Sequence, residues 1–400
     1  MESLLTLEES QRQILDRVEP LEAEEILVSA SAGRVTAEDV RARVDLPPFP
    51  SSAMDGFAVR SADTPGTLPV VFRIAAGRPA ERALAPGESM GIATGGVVPE
   101  GADAVVPIEH VVDLDNKVEI ARSAEPGASV RPRGGDVAAG DVVVPAGTRI
   151  TATQVGALAA AGVDYVRCAR APRVAIVSTG TELVPPGVPL GPGQVYEANG
   201  VMLAAALAAA GAQTSEPVPV ADDAAAHRSA LERGLEADVL VTSGGVSVGP
   251  HDLVRAIERE LGVEEVFWRV AIKPGKPVAF GVRGRTLVFG LPGNPVSALV
   301  GCELFVKPAL RALQGIVDPL PRFEPGRLAA PLRRNDARDE LVRARTRLDE
   351  DGVVLEPLSG QESHMIAAAA AADALVHVPR GEGELAAGAT VRWLRLGVAG

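Results

Sequence analysis

The chain reads as a multidomain α/β-plus-β protein, and three observations lead there. Its 400 residues exceed what one compact core usually holds, so two to four domains are expected. Between about residues 174 and 261 short apolar runs alternate with helical patterns, the texture of an α/β layer with a largely parallel sheet. On both sides of that stretch, short β-type runs separated by Gly and Pro replace the alternation.

Taken in order, residues 1–45 read as a helix and a connector. Thr6 and Glu9 have capping-box spacing, and Ile14, Leu15 and Val18 supply an apolar helical face. Short β runs follow at 70–74, 104–108, 118–120 and 142–144, then an Ala-rich helix over 151–161 ended by Gly162. A buried-type strand at 174–177 runs into a Ser-Thr-Gly-Thr turn. A helix over 199–210 carries Leu203 and Leu207 one turn apart and stops at Gly211. Asp222 or Asp223 can cap a helix bearing Leu231 and Leu235. A strand at 239–241 and a helix over 251–261, with Leu253, Ile257 and Leu261 on one face, complete the alternation. From about 320, β segments such as 341–346 and 353–355 suggest a small terminal β domain.

Composition narrows the function. Hydrophobic residues make up 46% and charged residues 23%, as in soluble globular proteins, while aromatics at 3% leave the cores to Ala, Val and Leu. A net charge of −13 argues against a nucleic-acid footprint or an anionic membrane surface, yet allows a local positive pocket for a small anion. Cys168 and Cys302 are the only cysteines, so a reducing compartment is expected and no disulfide framework. The start of the chain lacks the pattern of a secretory signal, and the longest apolar run, 201–210, is far below the ~20 residues of a membrane span. The expected location is the cytoplasm.

In an open α/β sheet, ligands bind beyond the carboxyl ends of the strands. Three such ends are rich in Gly and polar residues. They are Ser178-Thr-Gly180-Thr-Glu182, Ser243-Gly244-Gly245-Val-Ser247-Val-Gly249 leading to His251 and Asp252, and Gly290-Leu-Pro292-Gly293-Asn294-Pro295-Val-Ser297. In the third, Asn294 is a favoured N-cap and Pro295 a favoured first helical residue, and Gly293 lets a ligand approach the free N–H groups of the first turn. Each alone also reads as a tight turn, but three on one sheet edge point to a phosphate-bearing ligand. Arg269-Val-Ala-Ile-Lys273-Pro-Gly-Lys276-Pro places three cations in a stiff loop suited to an oxyanion or pyrophosphate. Carboxylates at Asp55, Asp136, Glu182, Asp222 and Asp252 sit at turns, where oxygen ligands suit Mg²⁺ held partly through substrate phosphates; each alone also reads as a cap or turn residue. The five His are scattered without metal-ligand spacing, and no nucleophile elbow, Walker or dinucleotide fingerprint occurs.

Seven strings in order then carry a resemblance. They are SAMDGFA from Ser52, ATGGVVPEGADAVV from Ala93, RPRGGDV from Arg131, STGTEL from Ser178, SGGVSVG from Ser243, IKPGKP from Ile272 and GLPGNPVS from Gly290. Weaker echoes stand at Tyr196-Glu-Ala-Asn199 and Gly360-Gln-Glu-Ser363. The chain closely resembles the bacterial molybdopterin molybdenumtransferases (MoeA), relatives of the gephyrin E domain, over nearly its whole length.

The resemblance implies a homodimer with four domains per chain. These would be a discontinuous helical and linker domain (1–45 and 148–170), a β-rich insertion (46–147), an α/β pterin-binding domain (171–318) and a small C-terminal β-barrel (319–400). It implies cleavage of adenylylated molybdopterin, delivered by a molybdopterin adenylyltransferase, and insertion of molybdenum from molybdate, with AMP released. Molybdoenzymes or their chaperones would receive the product. The family's functional positions fall on Asp55, Thr94, Asp136, Glu182, Asp222, Asp252, Arg269, Lys273, Lys276, Pro292 and Pro295. Of these, Glu182, Asp222 and Asp252 would hold Mg²⁺ or orient the attacking oxygen, and Arg269, Lys273 and Lys276 would bind molybdate and phosphate oxygens. Asp55, Thr94 and Asp136 would close the site across the dimer interface. Ser178, Gly180, Ser243, Gly244, Gly245, Ser247, Gly293 and Asn294 would line the pterin site with Pro292 and Pro295. Arg269 departs from the family's usual Lys, and Asp223 beside Asp222 could serve instead. A tungsten-inserting relative, and a carrier or scaffold without turnover, are the competing expectations.

Overall fold

The computed structural model describes residues 4–220, 223–245 and 253–397, which form two compact units. An insertion unit holds Glu25–Ala32 and Glu38–Cys168; the main unit holds the chain up to Glu24, Gly33–Ala37 and the chain from Ala169 onward.

The insertion unit is built on a six-stranded sheet in the order Ala104–Pro107, Gly56–Val59, Ser89–Ile92, Gly66–Ile74, Lys117–Ile120, Val111–Asp113. Its inner strand is buried on both faces: Phe57 and Val59 join one apolar cluster while Ala58 joins the other, with Met90, Ile92 and Val105. A third cluster forms under the Ala152–Ala160 helix from Val28, Val40, Val144, Ile150 and Leu158. Cys168 is buried in it, as a packing residue.

In the main unit the Leu7–Leu15 helix starts with the expected capping box. Glu9 N–H donates to Thr6 Oγ1 at 3.1 Å, and Thr6 N–H to Glu9 Oε2 at 2.8 Å. Ile14 is buried; the helix stops at Leu15, so Val18 reaches the core from the loop beyond it and not from the helical face.

The central sheet runs Gln213–Thr214, Arg173–Thr179, Val239–Ser243, Thr286–Leu291, Ala279–Arg283, Glu264–Phe267, with Val218–Val220 also paired to the Arg173 strand. Pairing is parallel as far as the Thr286 strand. The last two strands are antiparallel, because Gly284 (φ +58°) turns a tight hairpin into the Thr286 strand. Side chains alternate across the sheet. Val239, Val241, Leu287 and Phe289 pack in the cluster of the Asn199–Ala209 and Pro295–Gly301 helices, whereas Leu240 and Val288 pack in that of Ala224–Gly234 and Leu253–Glu260. Helices thus cover both faces, and the apolar runs at 174–177 and 239–241 are continuous because neither face is solvated.

The Pro295–Gly301 helix continues through one π-helical turn, Cys302–Val306, into Lys307–Leu313. Cys302 is buried there and burial pushes its thiol well above the ordinary range, so it packs and does not react. The C-terminal region closes a five-stranded barrel from Asp339–Asp349, Gly352–Pro357, Glu324–Leu328, Thr390–Arg395 and Ala374–Val378 back to Asp339–Asp349. Val342, Leu355, Val376 and Trp393 fill it. A short strand, Ile272–Lys273, adds in parallel to the Asp339–Asp349 strand, with Lys273 opposite Glu340. Among the described residues no helix is long and apolar enough to cross a membrane.

Candidate active site

Because the Arg173, Val239 and Thr286 strands are parallel neighbours, their carboxyl ends lie side by side. The turns that follow are packed tightly. Gly244 has φ +92°, and a Cβ there would stand 2.6 Å from Thr179 Oγ1 and 2.8 Å from the Thr179 carbonyl oxygen. A Cβ on Gly293 would lie 3.7 Å from Gly244 Cα, so the second and third turns approach each other backbone to backbone.

Asn199 holds these turns together. Its Nδ2 donates to Ser243 Oγ at 2.9 Å and to the Gly293 carbonyl at 2.7 Å. It can do so because it opens the Asn199–Ala209 helix, whose start is fixed by the buried carboxylate of Glu197. Glu197 Oε1 accepts from Gly200 N–H at 2.6 Å and from Ser178 Oγ at 2.9 Å. Ser178 is itself buried, so its hydroxyl braces the site through Glu197. Neither Glu197 nor Asn199 is among the site residues expected from sequence. The signal was a carboxylate two residues before a helix-opening Asn, within one of the weaker echoes.

Two expectations about backbone donors change. Asn294 occupies the N-cap position but its side chain makes no capping hydrogen bond, and the Val296 N–H donates to the Ser363 carbonyl at 3.0 Å. Gly244 N–H donates to the Leu291 carbonyl at 3.0 Å, and Gly180 N–H to Val220 at 3.1 Å. These three N–H groups are used by the fold and are not open to a ligand. Pro292 is buried at the end of its strand, and Gly293 and Asn294 are exposed beside it.

The cationic loop lies against the same helix start: a Cβ on Gly275 would be 3.7 Å from the Ser297 carbonyl. Lys273 and Lys276 are exposed, and Lys273 Nζ lies 2.9 Å from Glu340 Oε1. Arg269 instead stacks on Trp268, its Cζ 3.9 Å from the ring centroid, with Arg255 over the same ring at 4.0 Å. Exposed Glu182 folds its carboxylate over Gly180, where a Cβ would meet its two oxygens at 2.6 and 2.7 Å. Asp223 is spent as an N-cap, accepting from Ala226 N–H at 2.8 Å. Asp222, Ser247, His251 and Asp252 lie outside the described residues. Among the described residues no three His, Cys, Asp or Glu side chains gather as a metal cage.

Within the insertion unit, three of the strings meet. The Ser51–Ser52 strand pairs with Val130–Arg131, while Ser52 N–H donates to Gly96 and Gly95 N–H to Ser52. Asp55 Oδ1 accepts from Thr94 N–H at 2.7 Å. Asp136 is exposed on the adjoining turn, anchored through its N–H to Leu46.

Three family models match the chain. "MoeA N-terminal region (domain I and II)" matches residues 5–162, "Probable molybdopterin binding domain" 175–312, and "MoeA C-terminal region (domain IV)" 325–396. The molybdopterin molybdenumtransferase 2 of Mycobacterium tuberculosis is 37% identical over 398 residues, covering 96% of this chain and 97% of that protein. The molybdopterin molybdenumtransferase of Haemophilus influenzae is 33% identical over 396 residues, covering 97% and 98%. A crystal structure of a molybdopterin biosynthesis MoeA protein from Pyrococcus horikosii superposes with a TM-score of 0.81 at 31% identity, over 98% of this chain and 99% of that one.

Proposed function

Since this chain belongs to the MoeA family of molybdopterin molybdenumtransferases, and so is an enzyme of molybdenum cofactor biosynthesis, we propose that it cleaves adenylylated molybdopterin, inserts molybdenum from molybdate and releases AMP. The observation that carries this reading is the convergence of three Gly-containing turns at one sheet edge, tied by Asn199, with the Lys273–Lys276 loop against the helix that follows the third. The edge offers a cleft floor that a pterin phosphate can approach, and in an acidic chain it keeps two ammonium groups at hand.

Lys273 and Lys276 bind oxygens of molybdate and of the pyrophosphate in this reading. They offset the negative charge that develops as a water oxygen attacks phosphorus and the bond between the AMP phosphate and the pterin phosphate breaks. Asn199 and Glu197 hold the turns so that the ligand meets a fixed surface. The carboxylate of Glu182, an exposed oxygen donor at that edge, fits a hard divalent cation shared with substrate phosphates. Glu182, with Asp222 and Asp252, would hold Mg²⁺. Bound, the cation would neutralise phosphate charge. Asp55, Thr94 and Asp136 are assigned to the same chemistry from the insertion unit, across a homodimer interface. The upstream donor is a molybdopterin adenylyltransferase, molybdoenzymes or their chaperones take the product, and the work is done in the cytoplasm.

The test is AMP release from adenylylated molybdopterin with Mg²⁺, with and without molybdate, for the wild type, Glu182→Gln and Asp252→Ala. Molybdate-dependent release that either substitution abolishes supports the assignment. Tight pterin binding without AMP release in any of the three proteins sinks it and leaves a carrier. Turnover with tungstate and not with molybdate would move the activity to the heavier oxyanion.

A further inference from the structure

Lys273 is not a bare cation. Its strand lies parallel to the Asp339–Asp349 strand of the barrel in a register that sets Lys273 opposite Glu340, and the two side chains close to 2.9 Å. Glu340 is the more buried of the two, with 17% of its side chain exposed against 50% for Lys273, so the carboxylate is the fixed member. The pair lines a polar cleft of about 550 Å³ together with Arg333, Arg334 and Glu382. Arg334 is committed to that wall, donating to the Pro379 and Arg380 carbonyls at 3.1 and 2.6 Å.

We propose that Glu340 is a specificity-determining residue: it is the counter-ion that an incoming oxyanion must displace from Lys273. Resting on the proposed function, this assigns the barrel a part in substrate selection. An anion that reaches Lys273 alone trades one carboxylate for itself and gains little. An oxyanion that other groups lining the cleft, such as Arg333, also hold gains enough to displace it. Glu340 therefore depresses the affinity for every oxyanion, and most for those with a single anchoring point. It acts through Lys273 and touches no reacting atom.

The test is equilibrium dialysis of the full chain with molybdate, sulfate and phosphate, each alone, for the wild type, Glu340→Gln and Glu340→Asp. The same substitutions are repeated in a Lys273→Met background. Glu340→Gln keeps shape and hydrogen bonding while removing the charge, and is expected to tighten oxyanion binding by about tenfold, with the larger gain for the oxyanion that the wild type holds more weakly. Glu340→Asp, which restores the charge, should return affinities toward the wild type, and in the Lys273→Met background Glu340→Gln should change nothing. In turnover the effect falls on KM for molybdate, with kcat moved less. A merely structural role predicts the opposite pattern, with Glu340→Gln and Glu340→Asp both weakening binding in step with lower thermal stability. Unchanged or weaker oxyanion binding in Glu340→Gln overturns the proposal. Tighter binding of sulfate and phosphate with no molybdate binding in any variant upholds the counter-ion role while removing the molybdenum assignment.

Discussion

Gly244→Ala isolates the close packing on which the site depends, provided it is compared with Gly187→Ala. Both glycines sit in the left-handed region, at φ +92° and +91°. A Cβ on Gly187 meets nothing within 4 Å, whereas one on Gly244 stands 2.6 Å from Thr179 Oγ1 and 2.8 Å from the Thr179 carbonyl oxygen. The left-handed conformation costs either alanine about 1–2 kcal/mol. The hydroxyl of Thr179 can swing away, but its carbonyl belongs to the strand end, so Gly244→Ala must also shift backbone at a further ~1–3 kcal/mol. The expected totals are roughly 1–2 kcal/mol for Gly187→Ala and ~2–5 kcal/mol for Gly244→Ala. Because 1 kcal/mol moves the midpoint of a domain of this size by ~2–4 °C, thermal unfolding separates them. The same preparations are assayed for kcat/KM of AMP release, which Gly244→Ala lowers and Gly187→Ala leaves near the wild type. Equal midpoints with full activity in both would refute the claim that backbone approach at Gly244 fixes the turn.

Asn199→Asp replaces the amide that donates to Ser243 Oγ and Gly293 with a carboxylate; the hydroxyl can turn to donate, the carbonyl cannot. The expected result is a fall in kcat/KM of about tenfold or more, and undiminished activity counts against the clamp. At Asp238 burial raises the carboxyl, but hydrogen bonds from Arg170 and the Arg173 N–H outweigh it, and the carboxyl sits below its usual range. Its stabilisation is present above the unfolded pKa of ~3.9 and is lost as pH falls through the lower folded value, so Asp238→Asn should cost roughly 1.5–3 kcal/mol at neutral pH. Unfolding midpoints of the two proteins, followed downward from pH 7, should converge as pH falls through the lowered folded value; a constant gap is the contrary outcome. Thr6→Ala removes the capping box of the first helix and should lower stability by about 1 kcal/mol, read by amide exchange across 7–15.

Much of the fold was legible because its signals are local. Thr6 and Glu9 cap a helix from three residues apart, and the runs at 174–177 and 239–241 are apolar throughout because both faces of that sheet are covered. The seven strings likewise fixed the family, and with it the expectation of a C-terminal barrel that the structure closes. The strands at the antiparallel end of the central sheet carry less of a local signal, and Glu264–Phe267 owes its place to pairing with Ala279–Arg283.

The sequence by itself determined which residue types stand at the strand ends: Gly where backbones must pass closely, Lys in a stiffened loop, carboxylates at turns. What it could not determine is how those groups are spent. Only the tertiary structure decided that Ser178 turns inward to Glu197, that Ser363 takes the Val296 N–H, and that Asp223 is a cap. The same holds for Lys273, which meets a carboxylate 67 positions further along. A hydrogen bond or ion pair is satisfied by whatever partner lies within about 3 Å, and between residues so distant in sequence that partner is chosen by the packing of whole sheets and helices.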